Sequence, residues 1–144
     1  MNYKRESLPN FRYSLHDASL IEIKLQGQDL ILKTDYGFVD IEKNQQVDGD
    51  IILQEISLED SYVHLMEFKK VLCGNPGNFS GEKIQISDFL EKYKKDHIKI
   101  DIIGEYCGFR SLFITGYLSL KEEIYEIHME LYYEGDFIYQ IKDK

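Results

Sequence analysis

The sequence predicts a mainly β protein of antiparallel sheets, sandwich-like or curled, with one inserted helix near residues 87–95. Two observations carry this prediction. Apolar side chains alternate with polar ones in short segments along most of the chain, and alternation at every second residue is typical of strands with one buried face. One segment in the middle of the chain follows a helical period instead. The same combination can be described as an α+β fold.

The N-terminal part of the chain predicts a β-meander. Apolar residues alternate through residues 20–25, a glycine-centred turn follows, and extended structure resumes through residues 30–32 and again through 38–41. The polar segment 42–50 then precedes a further strand candidate at residues 51–57. Short strands joined by short turns favour antiparallel pairing.

Residues 57–74 fit two structures. Ser57 and Asp60 resemble a helix capping box, and several apolar residues fall near one helical face. The segment also shows two interleaved apolar rows of period two, as in a strand covered on both faces, and we favour the strand. We predict a loop at residues 73–83, because this stretch contains an Asn-Pro pair and three glycines.

Residues 87–95 predict the helix, with Ser87 as its N-cap and Lys94 and Lys95 at its end. After it the period returns to two. Four consecutive strands are predicted, at residues 97–107, 109–120, 123–133 and 137–142. The core is predicted to lie between these strands and the helix, with Leu112, Ile114, Leu118, Ile127, Leu131, Phe89 and Leu90 buried.

Length and composition predict that residues 1–144 form a single soluble domain. A chain of 144 residues buries roughly 70% of the surface that its unfolded form exposes, so no disulfide or metal is needed for stability. No segment approaches the roughly 18 apolar residues of a membrane span, and no apolar segment follows the basic residues near the N terminus. We therefore expect a cytoplasmic protein, with Cys73 and Cys107 reduced.

The charge of the chain limits its partners. Asp and Glu number 26 against 17 Lys and Arg, which gives a net charge of −9. Such a surface repels the phosphates of nucleic acids and of anionic lipids, and no basic run is long enough to offset this. We therefore predict no nucleic-acid or membrane partner, whereas a basic protein would be attracted.

The sequence predicts no cofactor, and one polar pair suggests catalysis. Gly77 and Gly81 precede a lysine, but their spacing departs from that of a phosphate-binding loop. His16 and Asp17 could begin the metal site of a small metal-dependent hydrolase if further ligands met them in space. The alternative, which we favour, is a tight bend in which Asp17 accepts backbone N–H bonds while His16 packs on Phe11 or Tyr13.

The C-terminal strands predict a partner-binding face that is both acidic and aromatic. It lies opposite the predicted core, and its residues are Asp101, Glu105, Phe113, Tyr117, Glu126, His128, Glu130 and Tyr132. Aromatic side chains supply contact area and carboxylates steer a basic partner, so we predict a non-catalytic protein-binding or neutralising module. Two alternatives are an ordinary solvated sheet face and a carbohydrate-binding domain that uses Phe113, Tyr117 and Tyr132.

The stretch "FRYSLHDASLIEIKLQGQDLILKTDYGF", residues 11–38, resembles the N-terminal signature of uncharacterised bacterial small β-rich domains. The shared features are an F-x-Y-x-L-H-D entry to a strand and two strands separated by a glycine turn. The resemblance implies a compact β fold in a bacterial cytosol and no known activity. Toxin-neutralising immunity proteins are similar in size and acidity, which suggests the neutralising role by analogy.

Overall fold

The computed structural model describes residues 1–5, 11–69 and 77–142, and most of these residues lie in antiparallel strands. The elements are β1 (Asn2–Lys4), β2 (Tyr13–Ser14), β3 (Ser19–Gln26), β4 (Asp29–Asp35), β5 (Phe38–Asp40), β6 (Gln45–Val47), β7 (Gly49–Leu53), β8 (Tyr62–Lys69), β9 (Asn78–Gln85), α1 (Ile86–Tyr93), β10 (Ile98–Gly108), β11 (Ser111–Leu120), β12 (Glu123–Tyr132) and β13 (Phe137–Ile141). The prediction of a mainly β antiparallel fold with one inserted helix is confirmed.

Ten strands form one sheet in the order β1-β13-β7-β4-β3-β10-β11-β12-β8-β9. The ladder between β3 and β10 is short, with Leu20 paired to Ile100 and Ser19 to Asp101. Backbone hydrogen bonds of Ile102 with Asp17 and Ala18 extend it just beyond the start of β3. We call the strands from β1 to β3 in this order the first half, and those from β10 to β9 the second half.

The connection between β12 and β13 shows that the two halves face each other. In a flat sheet these strands would lie roughly 29 Å apart at the ~4.8 Å spacing of neighbouring strands. Residues 133–136 alone connect them, and a connection of that length reaches about 18 Å. The sheet is therefore curled into a sandwich-like shape, with one core cluster that contains residues of both halves.

The core lies between the two halves and under the helix. The fully buried side chains from both halves, which form one cluster, include Leu20, Leu32, Ile51, Leu53, Ile100, Leu112, Ile114, Leu118, Ile127, Met129 and Leu131. All the predicted core residues belong to it except Leu90, which is partly buried against it. The alternation in β11 and β12 was thus assigned to the correct faces.

Helix α1 follows β9 directly and packs against β8 and the end of β9. Ile86 N donates a hydrogen bond to the Ser61 carbonyl at 3.0 Å, and Ile86 and Phe89 are buried. The predicted N-cap is wrong, because the helix begins one residue before Ser87. Gln85 occupies the N-cap position and makes no side-chain capping hydrogen bond.

A second sheet, in the order β2-β5-β6, lies beside the first half. Asp40 is buried there, and its carboxylate accepts hydrogen bonds from Arg12 Nη2 at 3.2 Å and from Lys43 N at 3.3 Å. Burial by itself raises the pKa of Asp40, but these hydrogen bonds outweigh it and hold the pKa below its usual value. Tyr13 joins this sheet to the aromatic part of the core, with its ring centroid 4.9 Å from that of Tyr139.

Several segments differ from their prediction. Residues 62–69 form a strand as favoured, and residues 70–72 lie outside the described part of the chain. The loop predicted at 73–83 is wrong from Asn78 onward, since β9 begins there, and Cys73 lies outside the described residues. Cys107 is a free cysteine near the end of β10. In the described part of the chain, no helix is both long and apolar enough to cross a membrane.

Candidate functional site

The outward side chains of the second half form the candidate site. We call this surface the outer face, and its members are Tyr62, His64, Asp101, Tyr106, Phe113, Tyr117, Glu126, His128, Glu130 and Tyr132. Their position follows from strand pairing, because directly paired residues of an antiparallel ladder point to the same side. The inner face of the same strands belongs to the core.

The central part of the outer face lies on β11 and β12. Phe113 pairs with Glu130, and Tyr117 pairs with Glu126. Aromatic and acidic side chains are therefore direct cross-strand neighbours, as the alternation had predicted. Tyr117 and Tyr132 are 46% and 43% exposed, so both rings are accessible.

Asp101 extends the outer face onto β10. It pairs with Tyr117 on one side and with Ser19 on the other. Ser19 Oγ donates a hydrogen bond to Asp101 Oδ1 at 2.7 Å, and Lys99 Nζ lies 3.9 Å from the same oxygen. These contacts orient the carboxylate at the fold between the two halves.

Glu105 does not belong to the outer face, and its predicted place there is wrong. The pairing of β10 with β11 shifts by one residue between Ile102 and Gly104, and such a bulge reverses the side to which all later residues point. Glu105 therefore pairs with the buried Ile114. Its Oε1 lies 2.7 Å from Arg5 Nη2, and its Oε2 accepts a hydrogen bond from Leu15 N at 2.8 Å.

The bulge brings Tyr106 to the outer face in place of Glu105. Tyr106 pairs with Phe113, and the two ring centroids are 6.0 Å apart. Sequence reasoning missed this residue for the same reason that it misplaced Glu105.

Strand β8 adds two further residues that sequence reasoning missed. Tyr62 pairs with Glu130, and His64 pairs with His128. The Nε2 atom of His64 lies 3.5 Å from Glu130 Oε1. The period-two row that contains Tyr62 and His64 was visible in the sequence, but no local signal showed that β8 lies beside β12.

A depression of about 200 Å³ opens on the outer face where β11 begins and β12 ends. It is lined by Ser111, Leu112, Phe113, Glu130, Leu131 and Tyr132. Phe113, Glu130 and Tyr132 contribute outward side chains, and the ring of His128 meets the Phe113 ring edge-on with centroids 5.5 Å apart. The lining of the depression thus includes one carboxylate and two aromatic side chains.

The outer face carries both aromatic and charged side chains. Its carboxylates are Asp101, Glu126 and Glu130, and Lys99 on β10 and Lys83 on β9 lie at its margins. Within residues 1–5, 11–69 and 77–142, no group of three or more His, Cys, Asp or Glu side chains is arranged to hold a metal ion. What the surface offers is aromatic area interleaved with negative charge.

His16 and Asp17 lie on an exposed turn beside β10, where Asp17 N donates a hydrogen bond to the Ile102 carbonyl at 3.0 Å. Ala18 N donates to the Leu15 carbonyl at 2.9 Å, so the predicted bend is present. The Asp17 carboxylate contacts His16 Nδ1 at 3.1 Å, and it is Ser14 Oγ that accepts the hydrogen bond from His16 N. The side chains of His16 and Asp17 are 60% and 78% exposed, so the expected packing of His16 on a neighbouring ring is wrong.

Comparisons of the chain with protein-family models, with curated proteins and with solved structures found no match. The resemblance of residues 11–38 to bacterial β-rich domains stays a prediction.

Proposed function

We propose that the protein is a non-catalytic binding module that engages a basic protein through the outer face, in a neutralising role of the immunity type. The observation that carries the proposal is the cross-strand register, in which Phe113, Tyr117 and Tyr132 stand beside Glu126 and Glu130 on one accessible surface. These side chains stand on a sheet that packs on the core, so we expect little conformational entropy of the backbone to be lost on binding.

The two kinds of side chain have different roles in this proposal. Tyrosine and phenylalanine bury large areas and are frequent at the centres of protein interfaces. Carboxylates with complementary charges on the partner accelerate encounter and exclude wrong partners. The net charge of −9 adds a long-range attraction for a basic protein.

The test compares three forms of the protein as bait in an extract of the source cells. The first is the wild type, the second carries Tyr117→Ala with Glu130→Lys, and the third is a matched control with Tyr36→Ala and Glu91→Lys. Tyr36 and Glu91 are exposed and lie outside the outer face, so the control makes the same change in composition and charge elsewhere.

The proposal expects a basic protein that the wild type and the control recover equally and that the outer-face variant fails to recover. A neutralising role further requires that the captured protein lose its activity when the wild type is added. Equal recovery by the outer-face variant and the control would refute the use of this surface.

A further inference from the structure

The depression on the outer face has the size and chemistry of a receptor for one cationic side chain. Its volume of about 200 Å³ is smaller than the roughly 300–1,000 Å³ of small-molecule pockets. Phe113, Glu130 and Tyr132 all line it, and aromatic faces attract cations. A carboxylate and two aromatic side chains in one small depression therefore suit a charged side chain better than a free metabolite.

In the core of the same protein, an arginine is held by one carboxylate and two aromatic rings. The guanidinium carbon of Arg5 lies 3.7 Å from the Phe11 ring centroid and 4.2 Å from that of Phe137. Its Nη2 atom contacts Glu105 Oε1 at 2.7 Å. One carboxylate and two aromatic rings thus contact an arginine in the core, and one carboxylate and two aromatic side chains also line the depression.

We infer that the depression receives an arginine side chain of the partner protein. The inference rests on the proposed function and specifies the contact residue on the partner. A planar guanidinium stacks on aromatic rings and donates two parallel N–H bonds to a carboxylate, whereas the ammonium of lysine is a compact point charge. Arginine therefore uses all three groups of the depression at once.

The neighbouring ring on the outer face is engaged by a cation of the protein itself. Lys83 Nζ lies 4.3 Å from the centroid of Tyr62, and Tyr62 pairs with Glu130 on the side away from Phe113. On the β8 side the Glu130 carboxylate also lies 3.5 Å from His64 Nε2, so the rings left for a cation of the partner are Phe113 and Tyr132, which line the depression.

The experiment is an NMR titration of the ¹⁵N-labelled full chain with three blocked pentapeptides. Their sequence is Gly-Ser-X-Ser-Gly, in which X is arginine, lysine or citrulline, the neutral analogue of arginine. The protein variants are Glu130→Gln and the matched control Glu126→Gln, which removes a carboxylate on the same strand and the same face but outside the depression.

The inference expects the arginine peptide to shift backbone signals of residues 111–113 and 130–132 and to bind about tenfold tighter than the citrulline peptide. Glu130→Gln should remove this preference, and Glu126→Gln should retain it. Signals that confirm the wild-type fold in both variants make the comparison valid.

Equal affinity for arginine, lysine and citrulline, or shifts confined to other parts of the protein, would overturn the inference. The recovery experiment would still test the proposed function independently, because a surface can bind a basic protein through distributed charges without a specific arginine site. Failure of that recovery experiment, with arginine binding intact in the titration, would refute the proposed partner while leaving the depression as an arginine site.

Discussion

Arg5 and Glu105 form an ion pair inside the sandwich, with side chains only 5% and 10% exposed. The free energy needed to remove two charges from water offsets most of their mutual attraction. Such a pair therefore adds little net stability relative to apolar side chains of the same size. Removing one partner is different, because it leaves an uncompensated charge in the core. Arg5 Nε and Nη1 have no hydrogen-bond partner among the described residues, so Glu105 is the principal counterion of this guanidinium.

We expect Glu105→Gln to lower the free energy of unfolding by about 3 kcal/mol, because the Arg5 charge would stay buried without its counterion. Urea unfolding measures this change. The matched variant Glu126→Gln, on the outer face, should change stability by no more than about 0.5 kcal/mol. Replacing both partners together, by Arg5→Met and Glu105→Leu, should recover most of the loss. A Glu105→Gln protein as stable as the wild type would contradict the interior position of this residue.

The backbone at Asp17, with φ of 68°, predicts a distinct pattern of substitution effects. Glycine and asparagine adopt positive φ readily, whereas alanine pays about 1 kcal/mol or more. Asp17→Ala should therefore lose about 1 kcal/mol of stability, and Asp17→Asn and Asp17→Gly should stay close to the wild type. The exposed His16 serves as control, since His16→Ala should be neutral in the same urea measurement. If Asn and Gly cost as much as Ala, the carboxylate and not the backbone would be responsible.

At the scale of the element, the bulge in β10 can be tested by deletion. Ile103 is the extra residue, because Ile102 pairs with Gly116 and Gly104 with the adjacent Thr115. Deleting Ile103 should leave every later side chain on its present face and cost less than about 2 kcal/mol. Deleting Thr115 should instead move the core side chains on one side of the deletion to the outer face of β11. Each core side chain removed from the interior costs about 2–5 kcal/mol, so this variant should not fold. Circular dichroism and urea unfolding of the two deletions distinguish these outcomes.

The same bulge shows what could and could not be predicted from the sequence. In β11 and β12 the alternation is regular, and Leu112 and Phe113 were placed on the correct faces. The side to which Glu105 points could be predicted only if the unpaired Ile103 before it were known. That bulge depends on how β10 pairs with its two neighbours, β3 and β11. Strand β9 escaped prediction because residues 78–83 are exposed on both faces, so no alternation marks this edge strand. His64 was recognised as part of a strand, but its contact with His128 depends on strand order, which local pattern does not encode.

At the scale of the whole molecule, charge and aromatic area should affect binding kinetics differently. Reversing Glu126 to lysine should mainly slow association with the basic partner and weaken the dependence of that rate on salt, since the screening length falls from about 10 Å at 0.1 M salt to about 3 Å at 1 M. Tyr117→Ala should instead speed dissociation by about tenfold. Surface plasmon resonance at several salt concentrations measures both rates. Equal effects of both variants on dissociation alone would contradict the division of roles.

The strand order of the second half also determines what a newly made chain exposes during synthesis. The β8–β9 hairpin is complete at residue 85, but β8 acquires its other neighbour only when β12 has been made, at residues 123–132. Until then the hairpin carries an open backbone edge, which is a template for pairing with another chain. Helix α1 is made directly after the hairpin and packs against it, and Ile86 and Phe89 belong to the same buried cluster as Val63 and Leu65. Apolar side chains of the hairpin thus acquire a local neighbour early, and what stays open on the ribosome is the backbone edge of β8 until β12 is made, together with the outer edge of β9, which ends the sheet.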